Sequence, residues 1–78
     1  MNKPSSLVDA VGLKCPEPVM LLHSAVRDAG AGEYIRLVAT DPSTKKDIAE
    51  FCEFLGHHLE SLQEEGDQFI FVVRKGGA

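Results

Sequence analysis

The stretch Leu13-Lys14-Cys15-Pro16-Glu17-Pro18 sets a thiol directly before two prolines, where a short apolar run gives way to a helical pattern. Proline suits the first helical positions because its φ is already close to helical and its missing N–H would have no partner there. The stretch therefore reads as a helix start, with Cys15 as N-cap, Pro16 at N1, Glu17 at N2 and Pro18 at N3. A side chain at the N-cap meets the positive end of the helix dipole, which favours thiolate over thiol. Lys14 adds to that effect and Glu17 opposes it. The prolines also remove two N–H donors that would have held a sulfur anion. The expectation is a modestly lowered Cys15 pKa and a moderately reactive sulfur.

Working outward, Leu7 to Val11 reads as a strand ended by Gly12. A first helix runs from Pro16 to about Ala29, with Val19, Leu22 and Val26 at i, i+3 and i+7. Gly30 serves as its left-handed cap. Glu33 to Thr40 alternates as a strand, with Ile35, Leu37 and Ala39 on one face. Asp41-Pro42 repeats the helix-start logic, with Asp41 as cap and Pro42 at N1. The second helix carries Ile48, Phe51, Cys52 and Leu55 on one stripe and ends at Gly56. His57 to Glu64 is a weaker strand, Glu65-Gly66-Asp67 a turn, and Gln68 to Arg74 a strong strand. The last is apolar on both faces, with Phe69, Phe71 and Val73 against Ile70 and Val72, which points to a central position in the sheet.

The order is β-α-β-α-β-β. Right-handed crossovers place both helices on one face of a mixed four-stranded sheet, an α/β fold of the two-layer α+β sandwich type. Residues 1–6 and 76–78 read as flexible tails around a single domain over residues 7–75. Seventy-eight residues bury a modest core, so a deep enclosed pocket is not expected.

Charge and composition narrow the function. The net charge is −4 and the eight basic residues are scattered, which argues against direct nucleic-acid binding and favours a protein partner. No apolar run approaches membrane-spanning length. The polar first six residues lack a signal-peptide core, so a reducing cytoplasmic location with free thiols is expected. Cys52 lies on the apolar stripe and reads as core, which also disfavours a Cys15–Cys52 disulfide. Cys15, His23, Cys52, His57 and His58 form no metal-ligand spacing, and no cofactor or metal is expected. The histidines read as surface residues. A thioredoxin-like role lacks a second cysteine at i+3. Lys45 and Lys46 read as a solvated face or a docking patch, Asp41 as a cap first and a partner contact second, and Glu64-Glu65 as solubility charge. A terminal Gly-Gly sulfur carrier of the ubiquitin-like kind is disfavoured by Ala78 and by the element order.

Gly12-Leu13-Lys14-Cys15-Pro16-Glu17-Pro18 opening a helix resembles the TusA/SirA family of bacterial sulfur carriers. Thr40-Asp41-Pro42-Ser43, Asp47-Ile48, Phe51 and Leu55-Gly56-His57 extend the likeness across residues 7 to 75. The resemblance implies a βαβαββ sandwich with sheet order 1-2-4-3. It also implies that Cys15 carries sulfane sulfur as a persulfide, loaded by a cysteine desulfurase. Recipients in the family include relay proteins leading to 2-thiouridine at the tRNA wobble position, molybdenum-cofactor sulfuration and sulfur oxidation. On this likeness the protein is a stoichiometric carrier and no enzyme. Pro16 and Pro18 set the loop, and Leu13, Lys14, Glu17, Asp41, Lys45 and Lys46 are candidates for partner docking. Carriers that alternate partners are usually monomers. The competing class is a small interaction or regulatory module in which Cys15 is incidental.

Overall fold

The computed structural model describes residues 6–77. Its elements are β1 (Ser6–Ala10), α1 (Glu17–Asp28), β2 (Tyr34–Ala39), α2 (Thr44–Leu55), β3 (His58–Glu65) and β4 (Gln68–Arg74). The sheet order is β1-β2-β4-β3. β1 pairs parallel to β2, and β4 runs antiparallel to both β2 and β3. The expected βαβαββ architecture and strand order are both present.

Alternation builds the core. Ile35, Leu37 and Ala39 of β2 stand opposite Val73, Phe71 and Phe69 of β4, and all six are buried. Leu22 and Val26 of α1 and Ile48 and Cys52 of α2 close over this face. β4 lies between two strands, as its two apolar faces implied; Ile70 is buried as well, although it alternates with Phe69 and Phe71. β3 is one of the two edge strands and is exposed along nearly its whole length, and a register irregularity between Leu59 and Ser61 interrupts its pairing, a common way a sheet edge is made unattractive to further strands.

Several boundaries differ from the sequence reading. Ser6, assigned to the tail, pairs with Ile35, while Val11 lies past β1 and donates its N–H to Asp9 Oδ1 at 3.0 Å. Residues 1–5 and 78 of the expected tails lie outside the described residues. α1 begins at Glu17 with Pro16 as its cap, one residue after the expected start. α2 begins at Thr44 after a lead-in turn in which the Thr44 N–H donates to the Asp41 carbonyl. Asp41 and Pro42 therefore precede the helix, whose cap is Ser43. Leu55, expected on the buried stripe, is partly exposed.

The end of α1 shows a substitution of one device for another. Gly30 is not a left-handed cap; the positive-φ glycines are Gly12, Gly32, Gly56 and Gly66. Ala29 closes the helix in an extended conformation, and the Lys75 ammonium donates to its carbonyl at 2.6 Å. A cation at the negative end of a helix is favourable and fills an orphan acceptor. Gly56 does cap α2 at φ 80°, and the His57 N–H donates back to the Cys52 carbonyl, the bond that closes a left-handed helix end.

His57 is half-buried, stacked near Phe51 at 5.7 Å between centroids, and its Nδ1 accepts the Gly76 N–H at 3.0 Å. Gly76, assigned to the tail, is thus held, and a Cβ there would run into the Gly56 carbonyl. Burial first, then Lys75, His58 and His23, lower the His57 pKa. An acceptor nitrogen must be neutral, so the folded state binds this proton less readily than the unfolded chain. Stability is full above the unfolded histidine value of about 6.5 and is lost as pH falls from there through the folded value. The melting temperature should fall across that acid window in the wild type, and a His57→Asn variant should show a flatter profile by thermal denaturation.

Candidate functional site

Two loops meet beside the sheet. The β1–α1 loop, residues 11–16, carries Cys15, and the β2–α2 loop, residues 40–43, lies against it. Because β1 and β2 are parallel neighbours, both loops leave the same end of the sheet. Thr40 Oγ1 accepts the Gly12 N–H at 2.9 Å, where Gly12 turns through φ 82°. Asp41 makes the tighter tie. Its Oδ2 accepts the Cys15 N–H at 2.9 Å, and its Oδ1 accepts the Ser43 N–H at 3.1 Å. These bonds, first to Cys15 and then to Ser43, hold the Asp41 carboxyl below the usual carboxylate range.

Cys15 is exposed. It opens onto a surface groove of about 840 Å³ lined by Cys15, Pro16, Val19, Asp47, Phe51 and Phe54, with Glu50 and Glu53 also on its wall. Phe54 is 87% exposed, an unusual state for so large an apolar side chain. Asp47 lies one turn into α2, and its Oδ2 is shielded from solvent without a hydrogen-bond partner.

The Cys15 pKa is raised, opposite to the sequence expectation. The cause is local. Cys15 is not the helix cap, α1 starts two residues later, and no side chain caps it. The Glu17 N–H is already given to the Lys14 carbonyl at 2.8 Å, and Pro18 has none. Little of the helix terminus remains to hold a sulfur anion. Against it stand hydrogen bonding to the Asp47 carboxylate, partial desolvation, and the charges of Asp47 and then Asp41, opposed only by Ser43. Two carboxylates outweigh a dipole whose donors are spent.

The remaining sequence candidates separate. Asp41 joins the site. Pro16 lines the groove, Pro18 is buried on α1, and Leu13 packs on the core as a half-buried anchor. Lys14 and Glu17 are exposed on the loop and first turn. Lys45 is engaged elsewhere: its ammonium pairs with Glu64 at 3.2 Å and lies 5.1 Å from the Phe69 ring centroid. Lys46 is exposed on α2. Asp47, Glu50 and Phe54 were missed as site residues, because their meaning depends on where α1 crosses α2. The i+3 and i+7 spacing of Asp47, Glu50 and Phe54 would have placed them on one helical face. Cys52 is buried, with its pKa pushed up to about 11 by desolvation. Among the described residues no group of His, Cys, Asp or Glu side chains could hold a metal ion, and no helix is long and apolar enough to cross a membrane.

A family described as Sulfurtransferase TusA matches residues 6–75. The chain belongs to the TusA family. It is 51% identical over 72 residues to a protein named Sulfur carrier protein TusA from Pseudomonas putida (strain W619), covering 92% of this chain and 90% of that one. A protein of the same name from Pseudomonas aeruginosa (strain LESB58) is 51% identical over 70 residues, covering 90% and 89%. The crystal structure of a SirA-like protein from Desulfitobacterium hafniense superposes with a TM-score of 0.81 at 22% identity, over 92% of this chain and 99% of that one. That likeness supports the shared fold.

Two outcomes test this TusA-family site. In native protein, a small alkylating reagent should modify Cys15 and leave Cys52 intact until denaturant is added, as read by peptide mass spectrometry. Asp41→Ala should release the Cys15 and Ser43 amides, whose hydrogen exchange should speed up on the order of tenfold, measured by NMR.

Proposed function

We propose that the protein accepts sulfane sulfur from a cysteine desulfurase as a persulfide on Cys15 and hands it to an acceptor protein. The observation that carries this reading is an exposed thiol at the mouth of an open groove, with the only other thiol of the chain buried in the core. A carrier meets two partners in turn, so its sulfur must stand where both can reach it.

The step balances without an oxidant. The Cys15 thiol ionises, and its sulfur attacks the terminal sulfur of the donor persulfide. A new S–S bond forms to Cys15 as the donor S–S bond breaks, and the donor cysteine leaves as a thiolate that takes up the proton. Delivery repeats the exchange in the other direction, with the acceptor's nucleophile attacking the terminal sulfur and Cys15 leaving. The partners supply every other catalytic group, and the protein acts as a stoichiometric carrier. Val19, Phe51, Phe54 and Pro16 give those partners an apolar wall beside the sulfur.

On the family resemblance, the relay ends in 2-thiouridine at the tRNA wobble position and is reached through protein partners in the cytoplasm. The protein's own charge favours such an indirect route, because a net charge of −4 repels the phosphate backbone.

Incubation of the reduced protein with a cysteine desulfurase and cysteine should add the mass of one sulfur, removable by reductant. Cys15→Ser should abolish that gain and Cys52→Ser should keep it. Retention of the added sulfur by Cys15→Ser overturns the assignment. In the host, loss of the gene should lower 2-thiouridine in bulk tRNA, restored by wild type and not by Cys15→Ser. Unchanged 2-thiouridine directs the sulfur to another acceptor.

A further inference from the structure

Among the described residues two shielded side-chain oxygens lack a hydrogen-bond partner, one on Thr44 and one on Asp47, and the acid of the two is Asp47. It stands on α2, lines the groove together with Cys15, and has one oxygen shielded from solvent without a hydrogen-bond partner. A shielded carboxylate oxygen with no donor carries a desolvation cost that nothing in its surroundings offsets. Other acids on the same wall, Glu50 and Glu53, are exposed and solvated. Asp41, the remaining acid beside Cys15, has its two oxygens occupied by the Cys15 and Ser43 amides. The basic neighbour on the loop is Lys14, and Glu17 stands on the first turn of α1. Asp47 alone combines a half-buried position, an unfilled oxygen and the reacting sulfur as a neighbour.

We propose that Asp47 is a positioning residue that restrains Cys15, keeping the hydrogen on the sulfur while the carrier is empty. The proposal rests on the carrier reading of Cys15. Its chemistry is a proton held in place. Ionisation would set a thiolate beside the Asp47 carboxylate in the same groove, with the Asp41 carboxylate tied to the Cys15 amide. Oxidation of a cysteine follows its thiolate character and exposure. An exposed carrier thiol without this restraint would be open to sulfenic acid formation between transfers. The restraint also has a benefit for transfer. The nucleophilicity of a thiolate rises with its basicity, with a Brønsted coefficient of about 0.4–0.5. The sulfur ionises rarely, and each thiolate attacks faster.

The test is the rate of Cys15 alkylation by iodoacetamide as a function of pH, in a Cys52→Ser background without donor or partner. Asp47→Asn removes the charge and keeps the shape. If the thiolate fraction at neutral pH rises on the order of tenfold, the Brønsted penalty takes back roughly a factor of three. The variant should then alkylate about threefold faster at neutral pH and about threefold slower on the alkaline plateau. The two profiles cross, a signature that loss of packing would not produce, since greater access raises both limbs. Glu50→Gln, on the same groove wall, should leave the profile in place.

An unchanged profile in Asp47→Asn, or an equal shift in Glu50→Gln, overturns the proposal. Should Asp47→Asn fail to fold, the parent protein decides: a midpoint at or below that of an unstructured cysteine peptide overturns it, and one above supports it. The alkylation assay involves no persulfide, so its failure is distinct from failure of sulfur loading.

Discussion

The site depends on one carboxylate that bridges two loops. Asp41 takes the Cys15 amide on one oxygen and the Ser43 amide on the other, so the loop bearing the sulfur and the loop leading into α2 move as one. A side chain can make this bridge only because β1 and β2 are parallel neighbours and deliver both loops to the same end of the sheet. The Thr40 hydroxyl repeats the tie at Gly12. The β1–α1 loop has few backbone bonds of its own, the Leu13 N–H to the Ala10 carbonyl and the Glu17 N–H to the Lys14 carbonyl. The position of Cys15 is therefore set from across the chain, by residues nearly thirty positions away.

That bridge fixes the electrostatics as well as the geometry. An acid used as a structural acceptor is an acid left charged, and Asp41 is held in that state by its two donors. Asp47 then brings a second carboxylate to the same sulfur. The common route to an active cysteine is a free helix N-terminus or a neighbouring cation. Here both are weak, since prolines remove donors and Lys14 points its influence at Asp41. The outcome is a thiol whose surroundings disfavour charge although it is open to solvent, a combination that suits a nucleophile required only when a donor is present.

How much of this was legible follows the distance over which each signal acts. Gly56 as the end of α2, β4 as a central strand and Cys52 as core all rest on local patterns, and all appear in the structure. The element order also came through, because the alternation in β2 and the glycines and prolines between elements are local. Three features were not legible for a shared reason. The Lys75 ammonium caps α1 from the far end of the chain, displacing Gly30 from the expected role. His57 left the expected surface class because the Gly76 amide reaches it. The Cys15 pKa reversed direction because Asp47 acts on it from α2. In each case a long-range contact outweighed a local preference, and periodicity carries no information about such contacts.

The size of the domain explains why the chemistry is external. The buried side chains of both helices and the three strands β1, β2 and β4 form one layer between helices and sheet, with nothing left over to enclose a substrate. A cavity cut into that layer would remove a large share of the core. The remaining place for reactivity is the rim, at the end of the sheet where the crossover loops emerge and where parallel α/β sheets generally bind ligands. A rim site cannot exclude water by itself. It can place a sulfur on a stiff loop, surround it with fixed charge and leave an apolar wall beside it for a partner to cover. Phe54, almost fully exposed next to that sulfur, makes physical sense in such a division of labour, since the dry environment that exchange requires would be completed by the second protein.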